Sequence, residues 1–263
     1  MNNIKIQPPT PELPGVKHSV ALKISEMLTR GRRYFGSAGA SLTHHANNPD
    51  YDSEFKRKLI ILGLEGERNT SKKLQKWIKD KPNAVLVDSV HVKGLGKETI
   101  DLENGTVDGG DTDHVLVIGN HVILIDSKRW QSKRSYSISD KGSILRSNGK
   151  GKPGRTFGGS HVNAKAAKYL WKKYLHKSAK VHSVVCINAD KVYVKMDSNW
   201  KKQGFRLVTI ENLFDHLDYI YDNSEENDRN TINSTLISQI VVSCIKPFDA
   251  YTRIFDESIK DFK

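Results

Sequence analysis

Hydrophobic residues recur at helical spacing along residues 17–32, where Val20, Ile24 and Leu28 stand four apart, which predicts a short amphipathic helix. A second helical pattern runs from about Ser53 to Asp80 and ends near Pro82, with Leu74 and Ile78 as its buried stripe. The period then changes to two. Residues 84–92 alternate as a strand, and residues 113–118 and 121–125 flank the dipeptide Gly119-Asn120, a two-residue hairpin signal. Both hairpin strands are apolar on both faces, Val115 and Val117 on one, Leu116 and Ile118 on the other. Such strands belong inside a sheet covered on two sides, so the pattern predicts an α/β fold rather than a sandwich open to water. Further along, residues 162–176 form a helix with Ala167, Leu170, Trp171 and Tyr174 on its apolar side. Residues 181–188 read as a buried strand and 192–195 as a short one. Residues 205–209 lead into a helix carrying Leu213, Leu217 and Ile220, and residues 231–245 form a last helical segment. Between these elements lie a Pro-rich start (1–16) expected to be loosely attached, a polar loop around His44 and His45, a Gly/Asp-rich loop at 94–111 and a polar, Gly-rich, basic stretch at 132–160.

The chain thus divides into an N-terminal extension (1–52), a core (53–200) and a mostly helical C-terminal extension (201–263). With 263 residues, 37% of them hydrophobic, it is long and apolar enough to bury a core. Cys186 and Cys244 stand far apart with no partner motif, which excludes a disulfide scaffold and a cysteine zinc site and points to a reduced, cytoplasmic setting. The first residues lack a basic-then-apolar signal pattern, and no apolar run approaches membrane-spanning length, so secretion and a membrane partner are not expected.

Charge changes the picture. The formal excess is +12, yet from Lys128 to Lys180 there are fifteen Lys or Arg and one acid, Asp140, so that segment holds the whole excess. It is interleaved with Trp130, Tyr136, Phe157, Tyr169, Trp171 and Tyr174. A basic, aromatic-rich segment of this kind predicts contact with a polyanion, nucleic acid first, with Lys165, Lys168 and Lys172 forming the basic side of a helix.

The hairpin also permits a geometric deduction. If Gly119 and Asn120 are the turn, Ile118 faces His121, Leu116 faces Ile123 and Asp113 faces Asp126, with Lys128 two residues further on that same face. Two carboxylates and an ammonium therefore converge at the open end of an apolar hairpin. Paired carboxylates repel unless one is protonated or a cation sits between them, and magnesium is held by one or two carboxylates plus water and phosphate. Glu67 shares the helix face of Leu74 and Ile78 and so looks inward, whereas Glu65 falls about 160° away. An ordinary cross-strand salt-bridge cluster is the competing interpretation of the triplet.

Helix with inward Glu, strand, strand opening on Asp113, strand ending Asp126-Ser127-Lys128, then a basic segment and a helix: this order resembles the PD-(D/E)XK nuclease superfamily. More narrowly, Gly63 to Glu67, Thr112 to Val115 and Ile125 to Trp130 resemble the nuclease-related domain, NERD. The resemblance covers roughly residues 57–190 and implies a restriction-endonuclease-like mixed sheet flanked by helices, with helical N- and C-terminal extensions. It implies Glu67 as the helix carboxylate, Asp113 and Asp126 as metal ligands with the Ser127 backbone carbonyl, and Lys128 as the catalytic lysine. Glu67 would orient water or a second ion, reaching the metal directly or through water. His114 matches the family's Asp-His pair but points to the opposite face from Asp113. Three features depart from the family pattern: Asp126 where Glu is commoner, Thr112 where the superfamily name has proline, and His161 and Asn163 where a supporting Gln is usual.

Together these features predict a deoxyribonuclease using Mg2+, with Mn2+ able to substitute, in which Arg129, Lys133, Arg134, Lys150, Lys152, Arg155, Lys165, Lys168 and Lys172 grip the backbone of DNA. RNA stays open as a substrate, as does a homodimer. Two alternatives remain: a non-cleaving nucleic-acid-binding module of the same fold, and an interaction protein whose basic segment binds an acidic partner.

Overall fold

The structure, a computed structural model, describes residues 4–11, 13, 15–45, 54–91, 100–102, 105–107, 111–130, 133–147, 155–156, 160–195 and 204–245. In chain order the strands are β1 (Lys5–Gln7), β2 (Tyr34–Gly36), β3 (Ala84–His91), β4 (Ile100–Leu102), β5 (Gly105–Val107), β6 (Asp111–Ile118), β7 (His121–Lys128), β8 (Ser135–Ile138), β9 (Ile144–Ser147), β10 (Arg155–Thr156), β11 (Lys180–Ile187), β12 (Tyr193–Val194), β13 (Arg206–Thr209) and β14 (Thr231–Asn233). The helices are α1 (His18–Thr29), α2 (Ala40–His45), α3 (Glu54–Ile78), α4 (Ser160–Tyr174), α5 (Ile210–Asp222), α6 (Glu226–Asn230) and α7 (Ser234–Val241).

Six strands form the central mixed sheet in the order β13-β11-β7-β6-β3-β2. The β3–β6–β7 meander is antiparallel, while β11 and β13 extend it in parallel on one side and β2 does so on the other. Both faces of the hairpin strands are buried, as their double apolar pattern requires. Val115, Val117, Val122 and Leu124 pack with Ile24 and Leu28 of α1, Trp171 of α4 and Leu236, Ile237 and Ile240 of α7. Leu116, Ile118, Ile123 and Ile125 pack with Leu74 and Ile78 of α3 and Leu213 and Leu217 of α5. This helix-flanked mixed sheet is consistent with the restriction-endonuclease-like arrangement expected from the sequence.

The flanking segments differ from the expectation. The Pro-rich start is tied down: β1 pairs in parallel with β14, and the Thr10 N–H donates to Thr235 Oγ1 at 3.0 Å. The segments before and after the core are not only helical, since each also supplies a strand to the central sheet. Residues 41–45 continue a helical turn rather than a loop. The stretch at 132–160 contributes β8, β9 and β10, which with β12 build a second sheet in the order β10-β9-β8-β12. Its buried Tyr136, Ile144 and Val194 pack on Val185 and Ile187 of β11, so hydrophobic residues spaced among polar ones fix a segment whose composition resembles a loop.

The turn of the β6–β7 hairpin is clamped from outside. Gly119 has φ 54°, and a Cβ there would stand 2.6 Å from the Asp228 backbone. The Asn120 N–H and side-chain Nδ2 both donate to Asp228 Oδ1, at 3.3 and 3.0 Å. Beside them His121 and His182 stack with ring centroids 5.2 Å apart and a 3.0 Å contact between ring nitrogens. Burial, then His121, Lys168 and Lys180, hold the His182 pKa down to about 4, and burial followed by Lys180 lowers that of His121.

Gly119→Ala combines a disfavoured backbone with a clash and should cost about 2 kcal/mol, read as a lower urea midpoint; an unchanged midpoint would show that Asp228 does not press on this turn. The histidine pair sets an acid limit. Both folded pKa values lie below the ordinary 6.5, so the unfolded chain binds protons first. The pair's contribution is complete above about pH 6.5 and is lost as pH falls toward 4. His182→Phe should flatten the decline of the melting temperature across that interval.

Candidate active site

The ladder pairs of the hairpin run Ile118–His121, Val117–Val122, Leu116–Ile123, Val115–Leu124 and His114–Ile125, the register deduced from the turn. One step beyond, the Ser127 N–H donates to Asp113 Oδ2 at 2.6 Å. Asp113 and Asp126 continue the alternation of Val115 and Leu124, while His114 and Ser127 continue that of Leu116 and Ile125. Lys128, two residues past Asp126, sets its Nζ 2.6 Å from Asp126 Oδ1.

Glu67 enters from α3 and is only 3% exposed. Its helix is fastened to the end of β7 through Asn188, which follows β11. The Asn188 N–H donates to the Lys128 carbonyl at 2.8 Å, and its Nδ2 donates to the Gly66 carbonyl at 2.9 Å and to Thr70 Oγ1 at 3.2 Å. Gly66 permits the approach, since a Cβ there would stand 3.2 Å from the Arg129 Cβ. On the other side the Trp171 Nε1–H of α4 donates to Thr112 Oγ1 at 3.0 Å, so the residue in place of proline anchors the helix after the basic segment beside Asp113.

These positions bring Glu67, Asp113, Asp126 and Lys128 within range of each other's charge. Burial first, then Asp126, pushes the Asp113 pKa up to about 7, against the pull of Lys128, His114 and the Ser127 N–H. Burial and then Asp113 push Glu67 well above the carboxylate range, with Lys128 opposing. Burial by itself would lower the Lys128 ammonium, but Asp126 and Asp113 outweigh it and hold it above its ordinary value. Three acids thus share one ammonium. Glu67 Oε2 and Asp126 Oδ2 are buried with no hydrogen-bond partner among the described residues. Unbonded buried carboxylate oxygens are costly unless something meets them, and a hard cation is the group their chemistry suits. Among the described residues no group of three or more His, Cys, Asp or Glu forms a ready-made metal cage. The donor set therefore fits a cation that keeps water or substrate oxygens as well as one or two carboxylates.

The other expected residues are placed unevenly. Arg129 lies 3.9 Å from Glu65, at the edge of the cluster. Lys133 is exposed with φ 57°, and Arg134 is half-buried with its Nε unpartnered among the described residues. On α4, Lys165 sits 5.9 Å over the Phe205 ring, Lys168 is half-buried with its pKa lowered by burial and then Lys172, and Lys172 is exposed. The Arg155 backbone pairs with that of Arg146. Lys150 and Lys152 lie outside the described residues. His161 is buried, its pKa lowered by burial and then Lys165, and Asn163 is exposed. Among the described residues no hydrogen bond joins His161 or Asn163 to the carboxylates. His44 and His45 fall in α2, and their side chains lie outside what the structure describes.

His114 is fully buried, which by itself would lower its pKa, but Asp88, Asp113 and Asp126 together outweigh burial and raise it. Asp88, Ser71 and Asn188 escaped the sequence reading. Asp88 is one acid inside an otherwise valine-rich strand, and Asn188 closes a strand with no motif around it; an acid predicted to face inward was the available signal.

The cluster makes a stability prediction for the metal-free protein. The folded form keeps the Asp113 proton up to about pH 7, whereas the unfolded chain releases it near the ordinary 3.8. Stability from this group therefore falls as pH rises through that interval. Glu67→Gln removes one of the repelling charges. It should raise the melting temperature at pH 8 by about 5 °C and by less at pH 5, because the wild-type carboxyl is held well above its ordinary value and the cost of that shift grows with pH. Equal effects at both pH values would contradict the clustering.

No curated protein and no solved structure compared with the chain matches it. The family model of the nuclease-related domain matches residues 62–188. That span opens at the helix turn bearing Glu67, takes in the whole hairpin with Asp113, Asp126 and Lys128, and closes on Asn188. The chain carries a nuclease-related domain, NERD.

Proposed function

We propose that the chain is a metal-dependent nuclease that hydrolyses phosphodiester bonds in DNA. One observation carries the reading: a buried acid, Glu67, and two half-buried ones, Asp113 and Asp126, share a single ammonium, with unbonded carboxylate oxygens, at the point where the basic segment begins. A module that only bound nucleic acid would gain nothing from acids that repel phosphate. Asp113 and Asp126 would hold Mg2+, with the Ser127 backbone carbonyl as a further ligand and Glu67 reached directly or through water. When bound, the ion supplies positive charge that neutralises the acids and polarises the scissile phosphate.

The chain's own residues do the rest. Lys128, kept protonated beside Asp126, donates hydrogen bonds to the phosphate oxygen on which charge grows, or orients the attacking water. Glu67 accepts a hydrogen bond from that water and turns its lone pair toward phosphorus. Water adds to phosphorus and gives up one proton to solvent, the bond to the leaving oxygen breaks, and the leaving oxygen takes a proton from solvent. Lys165, Lys168 and Lys172 on α4, with Arg129, Lys133 and Arg134 after β7, contact backbone phosphates, which position a duplex without reading its sequence. A cytoplasmic setting agrees with two free cysteines, and no helix among the described residues is long and apolar enough to cross a membrane.

Supercoiled, linear and single-stranded DNA and RNA, each with Mg2+, Mn2+ or EDTA, test the proposal. Cleavage should require metal and fall at least about 100-fold in Asp126→Ala and Lys128→Ala, the scale of losing one charge-stabilising group. Undiminished cleavage by Asp126→Ala, or none by the wild type, would sink the catalytic assignment. Metal-independent binding to an acidic protein, unchanged in Asp126→Ala, would favour the interaction-protein reading. DNA affinity should fall steeply with salt, and each of Lys165, Lys168 and Lys172 replaced by Ala should reduce the log–log slope by about 0.9 if it neutralises one phosphate.

A further inference from the structure

Behind the carboxylates runs a buried chain of hydrogen bonds that the chemistry above does not use. Asp88 in β3 and His114 in β6 oppose each other in register and are both 0% exposed. His114 Nδ1 lies 2.7 Å from Asp88 Oδ1, and His114 Nε2 lies 3.0 Å from Ser127 Oγ. Asp88 Oδ2 also accepts from Ser71 Oγ on α3 and from Tyr34 Oη on β2, the latter at 3.1 Å. The chain ends on the candidate site, because the Ser127 N–H donates to Asp113 Oδ2 at 2.6 Å.

An Asp–His–Ser order is that of a hydrolase nucleophile, but access excludes that role. Ser127 is 7% exposed, and its side chain continues the row of Ile123 and Ile125 that packs under α3 and α5. What the arrangement supplies is fixed geometry. Ser89, next to Asp88, is fully buried at φ 49°, a left-handed backbone that a side-chain-bearing residue adopts only when its surroundings over-determine it. The Ala40 N–H holds it by donating to Ser89 Oγ at 3.0 Å. Gly36, opposite Asp88 on the edge strand, has φ 80°, and a Cβ there would stand 2.1 Å from the Asp88 carbonyl oxygen. Asp88 is thus clamped from the backbone on both sides, and its carboxylate gathers side chains from three elements.

We propose that Asp88 and His114 are positioning residues that fix Ser127 and, through its N–H, hold Asp113 in the orientation of a metal ligand. The geometry stands without metal; its consequence for metal affinity rests on the nuclease reading. With the tie cut, the Asp113 carboxylate, repelled by Asp126 and Glu67, rotates away and the site loses a preset ligand. Outer partners of this kind are typically worth about 10–100-fold in metal affinity or activity.

Two substitutions separate the parts. Ser127→Ala keeps the backbone donor and removes only the tie to His114, and His114→Gln keeps a hydrogen-bonding side chain. The first measurement uses metal-free protein: the amide proton of position 127, observed by NMR, should resonate far downfield in the wild type because of its short bond to Asp113. It should move upfield in both variants, and an unchanged resonance in a folded variant would overturn the proposal. Ser127→Ala decides alone if His114→Gln does not fold. The second measurement is Mn2+ affinity, expected to weaken about tenfold or more in both variants. Saturating metal should then restore their DNA cleavage, but not that of Asp113→Asn, which a merely structural defect would not reproduce. Wild-type affinity in both variants would overturn the link to metal. A wild type that binds no Mn2+ and cleaves nothing would refute the nuclease reading, while the amide resonance would still decide whether Asp113 is positioned through Ser127.

Discussion

Three carboxylates, Glu67, Asp113 and Asp126, are held where they share one ammonium, Lys128, and the rest of the fold can be understood from the requirement to keep them there. In water such acids would drift apart. Here a sheet covered on both faces removes most of the solvent, which strengthens both the repulsion among them and their attraction to any cation. The cluster opposes folding in the metal-free chain, so other contacts must offset it. Asn188 does so locally by bonding to the Gly66 carbonyl, Thr70 and the Lys128 carbonyl, which ties the helix of Glu67 to the strand of Lys128.

The two ends of the β6–β7 hairpin divide the labour. At the turn, Gly119 is pressed against Asp228 and Asn120 is bonded to it, so the register is set there and carried pair by pair to the acids. A slip of one residue would send Asp113 and Asp126 to opposite faces and bring apolar side chains into their place. The terminal segments belong to the same device. The β1–β14 pair, α1 and α7 cover the face of Val115 and Leu124, so residues distant in sequence help exclude water from the hairpin.

Much of this was legible in the sequence where the signal is local. The Gly119-Asn120 dipeptide between doubly apolar strands specifies the turn, the register and the burial, and with them the convergence of Asp113, Asp126 and Lys128. The inward face of α3 follows from Leu74 and Ile78. What stayed hidden is non-local or short. Parallel pairing of Lys5–Gln7 with Thr231–Asn233 leaves no trace in either segment alone. The three-residue β2 is too brief for a period to show. The sheet of β8, β9, β10 and β12 hides in a polar stretch because its core contacts, Tyr136, Ile144 and Val194 with Ile138 beside them, are spaced among polar residues. Asp88 is, in the sequence, one position of an alternating strand, and its role stays hidden because its partners His114, Ser71 and Tyr34 come from three other elements.

Proton release on metal binding tests the central claim most directly. A cation that settles beside these acids must displace the protons that burial and repulsion favour on Asp113 and Glu67. Calorimetric titration of Mg2+ at pH 6.5, repeated in buffers of different ionisation enthalpy, counts those protons. The account predicts release of about one proton or more per ion, with affinity rising toward pH 8 and lost in Asp126→Ala. Binding with no proton released, equally tight at both pH values and retained in Asp126→Ala, would contradict it.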